Sequence, residues 1–285
     1  MSSDVGLVVD TRPRRSWAAD LRRRLFGEST RRAAIAIVVA LLIWQFGATG
    51  PTWLGVRIPI LGAAPSPVAV VEAWSRLVAD PSYWRSWYVS LARVLFGFAA
   101  ATVVGVPFGL LLAVNPTFRA ISYPVFELLR PIPPLAWVPA SIIFWPTQEL
   151  SIAFVIFIGA FYTIVINVLG GARAIDVRLI QAARSMGASR WNIFRRLILP
   201  GVAPSIRVGM EVAIGITWEV VVAAEMISSG SGGAGGGLGF FIWNSYIGGS
   251  YPNIVVGMIS IGIAGYLSSA AVRLAAGRLT PWQGA

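Results

Sequence analysis

LSIAFVIFIGAFYTIVINVL, residues 150 to 169, runs for twenty positions without a charged side chain. At 1.5 Å per residue such a helix is about 30 Å long, the thickness of a bilayer's hydrocarbon core. Working outward, apolar runs of similar length, most of them carrying one or more charges, appear at about 33–49, 91–114, 204–227 and 253–276, with an interrupted one from near Ile121 to about Pro146. The chain of 285 residues is 56% hydrophobic and only 12% charged, outside ordinary globular usage. The fold expected is all-α and polytopic, with about six transmembrane helices in one domain over 33–285. A polar arm, 1–32, precedes it.

The charge is +11, and all 23 basic residues are Arg. A nucleic-acid groove would gather them on one surface, whereas here they segregate along the chain: eight precede Ala33, seven lie from Arg173 to Arg207, and none lies between Met226 and Asn253. That is the signature of a membrane with its Arg-rich loops inside. It places the arm, 170–203 and the C-terminus in the cytoplasm, and 50–90 and 228–252 outside, in a multi-pass protein of the cell membrane. The arm is suited to anionic lipid headgroups, and Pro67 to Ala79 reads as an amphipathic helix on the outer surface.

Without Cys or His the chain lacks a disulfide framework, a thiol nucleophile, the usual metal ligands and the commonest general base. Neither a catalytic residue nor a metal site is expected. The glycine-rich run 230–239 is followed by no Lys-Ser or Lys-Thr, so it is not a phosphate-binding loop. It reads as a flexible outer loop.

Two stretches carry function. The first is Gln181-Ala182-Ala183-Arg184-Ser185-Met186-Gly187, with Pro200 beyond it, inside a cytoplasmic segment of about 172–202. Asp176 can cap a helix over 177–186, Gly187 can take the positive φ of a turn, and Ser189 can cap a second short helix. Ala182 and Ala183 let another protein approach the backbone, while Arg184 and Arg190, with Arg178, Arg195 and Arg196, supply charge for an acidic partner. The second is Arg130-Pro131-Ile132-Pro133-Pro134. Three prolines in four residues break the third span at membrane depth, and such breaks persist only beside protein or a water-filled cavity.

The first stretch resembles the EAA motif of binding-protein-dependent ABC importer permeases: Gly187, Ile198, Leu199 and Pro200 match, while Gln181 stands where Glu is usual. Leu129 to Pro139 and Val222-Ala223-Ala224-Glu225-Met226-Ile227 look like signatures of the nitrate, sulfonate and taurine group. The likeness covers roughly 60–282. It implies a type I importer permease, paired as a homodimer, with cytoplasmic ABC ATPase subunits that bind ATP and Mg and an external solute-binding protein; the chain would bind no cofactor itself. The implied cargo is a small oxyanion or zwitterion carried into the cytoplasm. A secondary transporter or channel without ATPase partners is the alternative, and the coupling motif speaks against it.

Polar groups inside spans normally face protein or water, so Arg130, Pro131, Pro133, Asn167, Trp218, Glu219 and Glu225 are the candidate pathway residues. Glu211, Trp218 and Glu225 share one helical face. Arg130 needs an anion, either a carboxylate such as Glu219 or Glu225, the favoured reading, or the solute.

Overall fold

The computed structural model describes residues 28–54, 64–229 and 236–277, and every regular element among them is helical. Contacts divide the chain into two units, Met1–Ala69 and Val70–Ala285. The first contains α1, Glu28–Leu54, which begins before the expected Ala33 and so includes Arg31 and Arg32. Residues 1–27 of the basic arm lie outside the described residues. Along α1, Ile35, Ile37, Leu42 and Phe46 are exposed apolar side chains, suited to lipid.

The remaining elements are α2 (Pro67–Val78), α3 (Pro81–Val114), α4 (Pro116–Leu129), a 3-10 turn (Pro134–Trp137), α5 (Val138–Phe144), α6 (Gln148–Arg173), α7 (Val177–Ser185), α8 (Arg190–Ile193), a π turn (Phe194–Ile198), α9 (Leu199–Ser229), α10 (Leu238–Ile247) and α11 (Tyr251–Gly277). Among the described residues, four helices qualify as spans by length and composition: α1, α3, α6 and α11. α9 is long enough but carries Arg207, Glu211, Glu219 and Glu225, and the third expected span is divided between α4 and α5.

α6 is the central helix, because small residues let its neighbours come close. On α3, Gly97, Ala101, Gly105 and Gly109 repeat every four residues and so share a face. A Cβ at Gly97 would stand 2.5 Å from Ile156, and one at Gly109 2.8 Å from Val168. This is close packing by small residues, the means by which helices associate where lipid is as apolar as the side chains. On the other side, Gly171 meets Ser205, and Asn167 lies against Gly209. Val155, Ile156, Ala160, Ile164 and Val168 are buried in this core. α11 is tied on by polar contacts: Trp218 Nε1 donates to Ser268 Oγ at 3.1 Å, and the Tyr83 and Ser260 hydroxyls are 2.7 Å apart.

Two expectations need correction. α9 begins at Leu199 rather than Pro204, because the one-turn α8 continues through the π turn into it. The outer segment 228–252 contains a helix, α10, which ten residues between glycines do not announce. Residues 230–235 of the glycine-rich run lie outside the described residues.

Candidate functional site

The segment between α6 and α9 is built by local chemistry. Asp176 Oδ1 accepts the Arg178 N–H at 2.8 Å and starts α7. At its end Gly187 takes φ +80°, and the Ala188 N–H reaches back to the Ala183 carbonyl at 3.0 Å. That left-handed residue closes the helix and satisfies carbonyls that would otherwise be orphaned. Ser189 Oγ accepts the Asn192 N–H at 3.2 Å and caps α8. Gln181, Ala182, Arg184, Gly187 and Arg190 are exposed, Ala183 and Pro200 half-buried. Beside them Val177, Leu179, Met186 and Trp191 are also exposed, Met186 at 81%. Sequence reasoning singled out the arginines and alanines and missed this apolar component, which gives the exposed surface of the elbow a mixed chemistry.

The broken third span is equally specific. α4 ends at Leu129, and Arg130 keeps a helical backbone, its N–H on the Phe126 carbonyl at 3.0 Å. Pro131 and Pro133 are exposed, and Pro134 opens the 3-10 turn. A Cβ at Gly159 of α6 would lie 3.4 Å from Pro134 and 3.2 Å from Val220, so the turn seats where α6 and α9 meet. Arg130 is exposed and, among the described residues, has no carboxylate partner. Glu219 is exposed on α9.

The favoured pairing of Arg130 with a carboxylate such as Glu219 or Glu225 is therefore corrected: neither carboxylate pairs with Arg130, and Glu225 belongs to Arg93. Arg93, on α3, donates from Nη1 to Glu225 Oε1 at 2.9 Å and to the Gly236 carbonyl at 2.8 Å, and from Nε to Glu149 Oε2 at 2.8 Å. Its Nη2 also meets Glu149 Oε1. Ser90 Oγ bridges the Glu225 carboxylate and the Leu238 N–H, while the Gly239 N–H donates to Glu225 Oε2 at 2.9 Å. The Glu225 side chain is fully buried and that of Arg93 is 7% exposed, whereas Glu149 is 61% exposed. The cluster ties α3, α6 and α9 to the corner that starts α10. Gly237 is required there: its φ is +106°, and a Cβ would strike the Glu225 carboxylate.

The other candidates serve packing in this chain. Trp218 is buried against α11, and Asn167 donates to the Thr163 carbonyl at 2.8 Å and faces Gly209. Glu211 pairs with Arg273 at 3.2 Å. Arg93 is absent from the residues the sequence singles out, and the signal that could have found it is a charge inside the apolar run 91–114, which demands carboxylates nearby.

Apolar helices crossed by a broken span, with an exposed helical elbow between two of them, define the transmembrane subunit of a transport machine. The chain belongs to the family of the binding-protein-dependent transport system inner membrane component, whose profile matches residues 105–284. It is thus an ABC importer permease, a transport subunit rather than an enzyme.

Its relatives include the nitrate import permease protein NrtB of Leptolyngbya laminosa, 36% identical over 90% of this chain and 91% of that one. The taurine transport system permease protein TauC of Escherichia coli is 32% identical, covering 87% and 88%. The bicarbonate transport system permease protein CmpB of Synechococcus elongatus is 33% identical, covering 80% and 81%. Among solved structures, the inward-facing MetNI methionine ABC transporter shares the fold, with a TM-score of 0.56 and 24% identity over 71% of this chain and 98% of that one.

Proposed function

We propose that this permease works as a homodimer that carries a small oxyanion or zwitterion into the cytoplasm, driven by two ABC ATPase subunits and fed by an external solute-binding protein. ATP and Mg belong to the ATPase subunits. The observation that carries the reading is the exposed elbow from Val177 to Arg190, with Ala183 and Gly187 at its turn. Gln181, Ala182, Ala183, Arg184, Gly187, Arg190 and Pro200 form or support the contact through which ATP binding moves the spans, opening the pathway to one side at a time. The N-terminus and the elbow share the cytoplasmic side, in keeping with the Arg distribution.

A stripe on α9 supports pairing of two copies. Val208, Val212, Gly215 and Glu219 recur at helical spacing and are all exposed. Glu219 is costly to leave against lipid, and Gly215 has open space where a Cβ would be. The pathway would run between these faces, with Arg130, Pro131, Pro133 and Glu219 nearest to it and Asn167, Trp218 and Glu225 bracing it from behind. A free guanidinium suits the oxyanion of nitrate, bicarbonate or a sulfonate, the first two named for relatives. Glu219 in addition suits the ammonium of a zwitterion such as taurine.

Reconstitution of the complete complex in proteoliposomes tests this reading. Uptake of labelled nitrate, bicarbonate or taurine should require the binding protein, the ATPase subunits and ATP. Uptake by the permease alone would place it among secondary transporters or channels and overturn the proposal.

A further inference from the structure

α9 has a second face, apart from the pairing stripe and reached by the elbow set only at Pro200. A cavity of about 570 Å³ lies there between α3, the beginning of α9 and the end of α11. Val103 and Val106 on α3 and Ala203, Ile206 and Met210 on α9 supply apolar walls, and among the described residues Arg207 is the one charged side chain that lines it. The lining extends along α9 from Leu199 to Met210. At 1.5 Å per residue the lining is about 16 Å long, with Arg207 in its last turn.

The level of the cavity is set by packing. Ser205 meets Gly171, two residues before α6 ends at Arg173, so Arg207 stands close to the level at which α6 leaves the apolar region. Its flexible stem can carry the guanidinium to the headgroups. Arg195 and Arg196, both exposed, stand just before Leu199 at the same end. Arg207 has no carboxylate among the described residues, since Glu211, one turn along, is taken by Arg273 at 3.2 Å.

From this combination we infer that the cavity binds an anionic phospholipid of the cytoplasmic leaflet. One acyl chain lies along Val106, Ile206 and Met210, and the phosphate rests on Arg207. A polar solute would find too few partners on these walls, an apolar helix would leave Arg207 without an anion, and a zwitterionic lipid would bring a choline cation beside its phosphate and leave the net charge of the site unbalanced. Only the choice of leaflet rests on the orientation proposed above.

The test uses the assembled complex, purified and stripped of lipid, then titrated with dioleoylphosphatidylglycerol or dioleoylphosphatidylcholine while melting temperature and bound lipid mass are followed. The anionic lipid should raise the melting temperature and saturate at one molecule per permease chain, with the neutral lipid weaker by at least about fivefold. Arg207→Gln should remove that preference, Arg207→Lys should keep most of it, and Ala203→Trp, which fills the cavity, should abolish binding with Arg207 intact. Equal response of the unmodified complex to both lipids would overturn the inference, and needs no variant to be seen. So would high-yield disulfide formation in membranes between a cysteine at Ala203 and one introduced in α1 or in the second copy, since a helix would then occupy the cavity. Binding is read without transport, so loss of lipid preference leaves the importer reading standing, and failure of uptake leaves the lipid site standing.

Discussion

Arg93 and Arg130 both sit within apolar stretches, yet the molecule treats them in opposite ways. Arg93 lies in the unbroken helix α3, is almost fully buried and holds two carboxylates and a carbonyl. Arg130 lies where α4 breaks, is exposed, and has no carboxylate among the described residues. The difference follows from backbone continuity. A buried guanidinium on a continuous helix must be neutralised by neighbouring helices, whereas Arg130, at a proline break, is exposed and keeps its charge unpaired among the described residues. The first acts as a clamp; for the second the proposed role is contact with solute.

The largest effect expected is on stability, and at Arg93. Arg93→Ala strands the fully buried Glu225 carboxylate, which costs about 3 to 5 kcal/mol, whereas Glu225→Ala leaves Arg93 still paired with Glu149 and should cost less. Either variant should lower the yield of folded permease and its melting temperature in detergent, and Arg93→Met combined with Glu225→Gln should recover part of the loss. If Arg93→Ala melts like the unmodified chain, the cluster is not a clamp.

Next comes Gly237→Ala, which forces a side chain into a left-handed backbone at φ +106° and against Glu225. It should destabilise by about 1 to 3 kcal/mol. Gly262→Ala, on α11 with open space around it, should be neutral or stabilising by up to about 1 kcal/mol. Equal melting of the two variants would remove the corner from the account.

The smallest effect is at the elbow. Ser189→Ala removes the cap of α8 at a cost of about 1 kcal/mol. It should slightly weaken retention of the ATPase subunits during purification, while Gly187→Val, at φ +80°, weakens it more. Retention that ranks the other way would mean that the elbow's backbone shape is not what docks.

What the sequence makes legible divides along the same line. Helices and elbow are readable because their causes are local: a charge-free run at Leu150 to Leu169, a cap at Asp176, a glycine at 187. The Arg93 cluster is not, because Ser90, Glu149, Glu225 and Gly239 are far apart in the chain and meet only after α3, α6 and α9 have packed. Helical spacing did put Glu225 and Trp218 on one face, but spacing on one helix says nothing about which neighbour that face meets. α10 escaped for a different reason: ten mostly apolar residues between glycines are too few for a span and look like a loop.

Uptake per assembled complex for Arg130→Ala and Arg130→Lys tests the central contrast most directly. Both variants should assemble in normal amounts and melt normally, since no carboxylate is stranded. Uptake should fall by about tenfold or more in Arg130→Ala, because a charge-assisted hydrogen bond is worth about 1.5 to 3 kcal/mol. Arg130→Lys should also be impaired, because a point charge does not reproduce a planar bidentate grip. Normal uptake by the Arg130→Ala complex, or collapse of its assembly, would contradict the assignment of Arg130 to the solute.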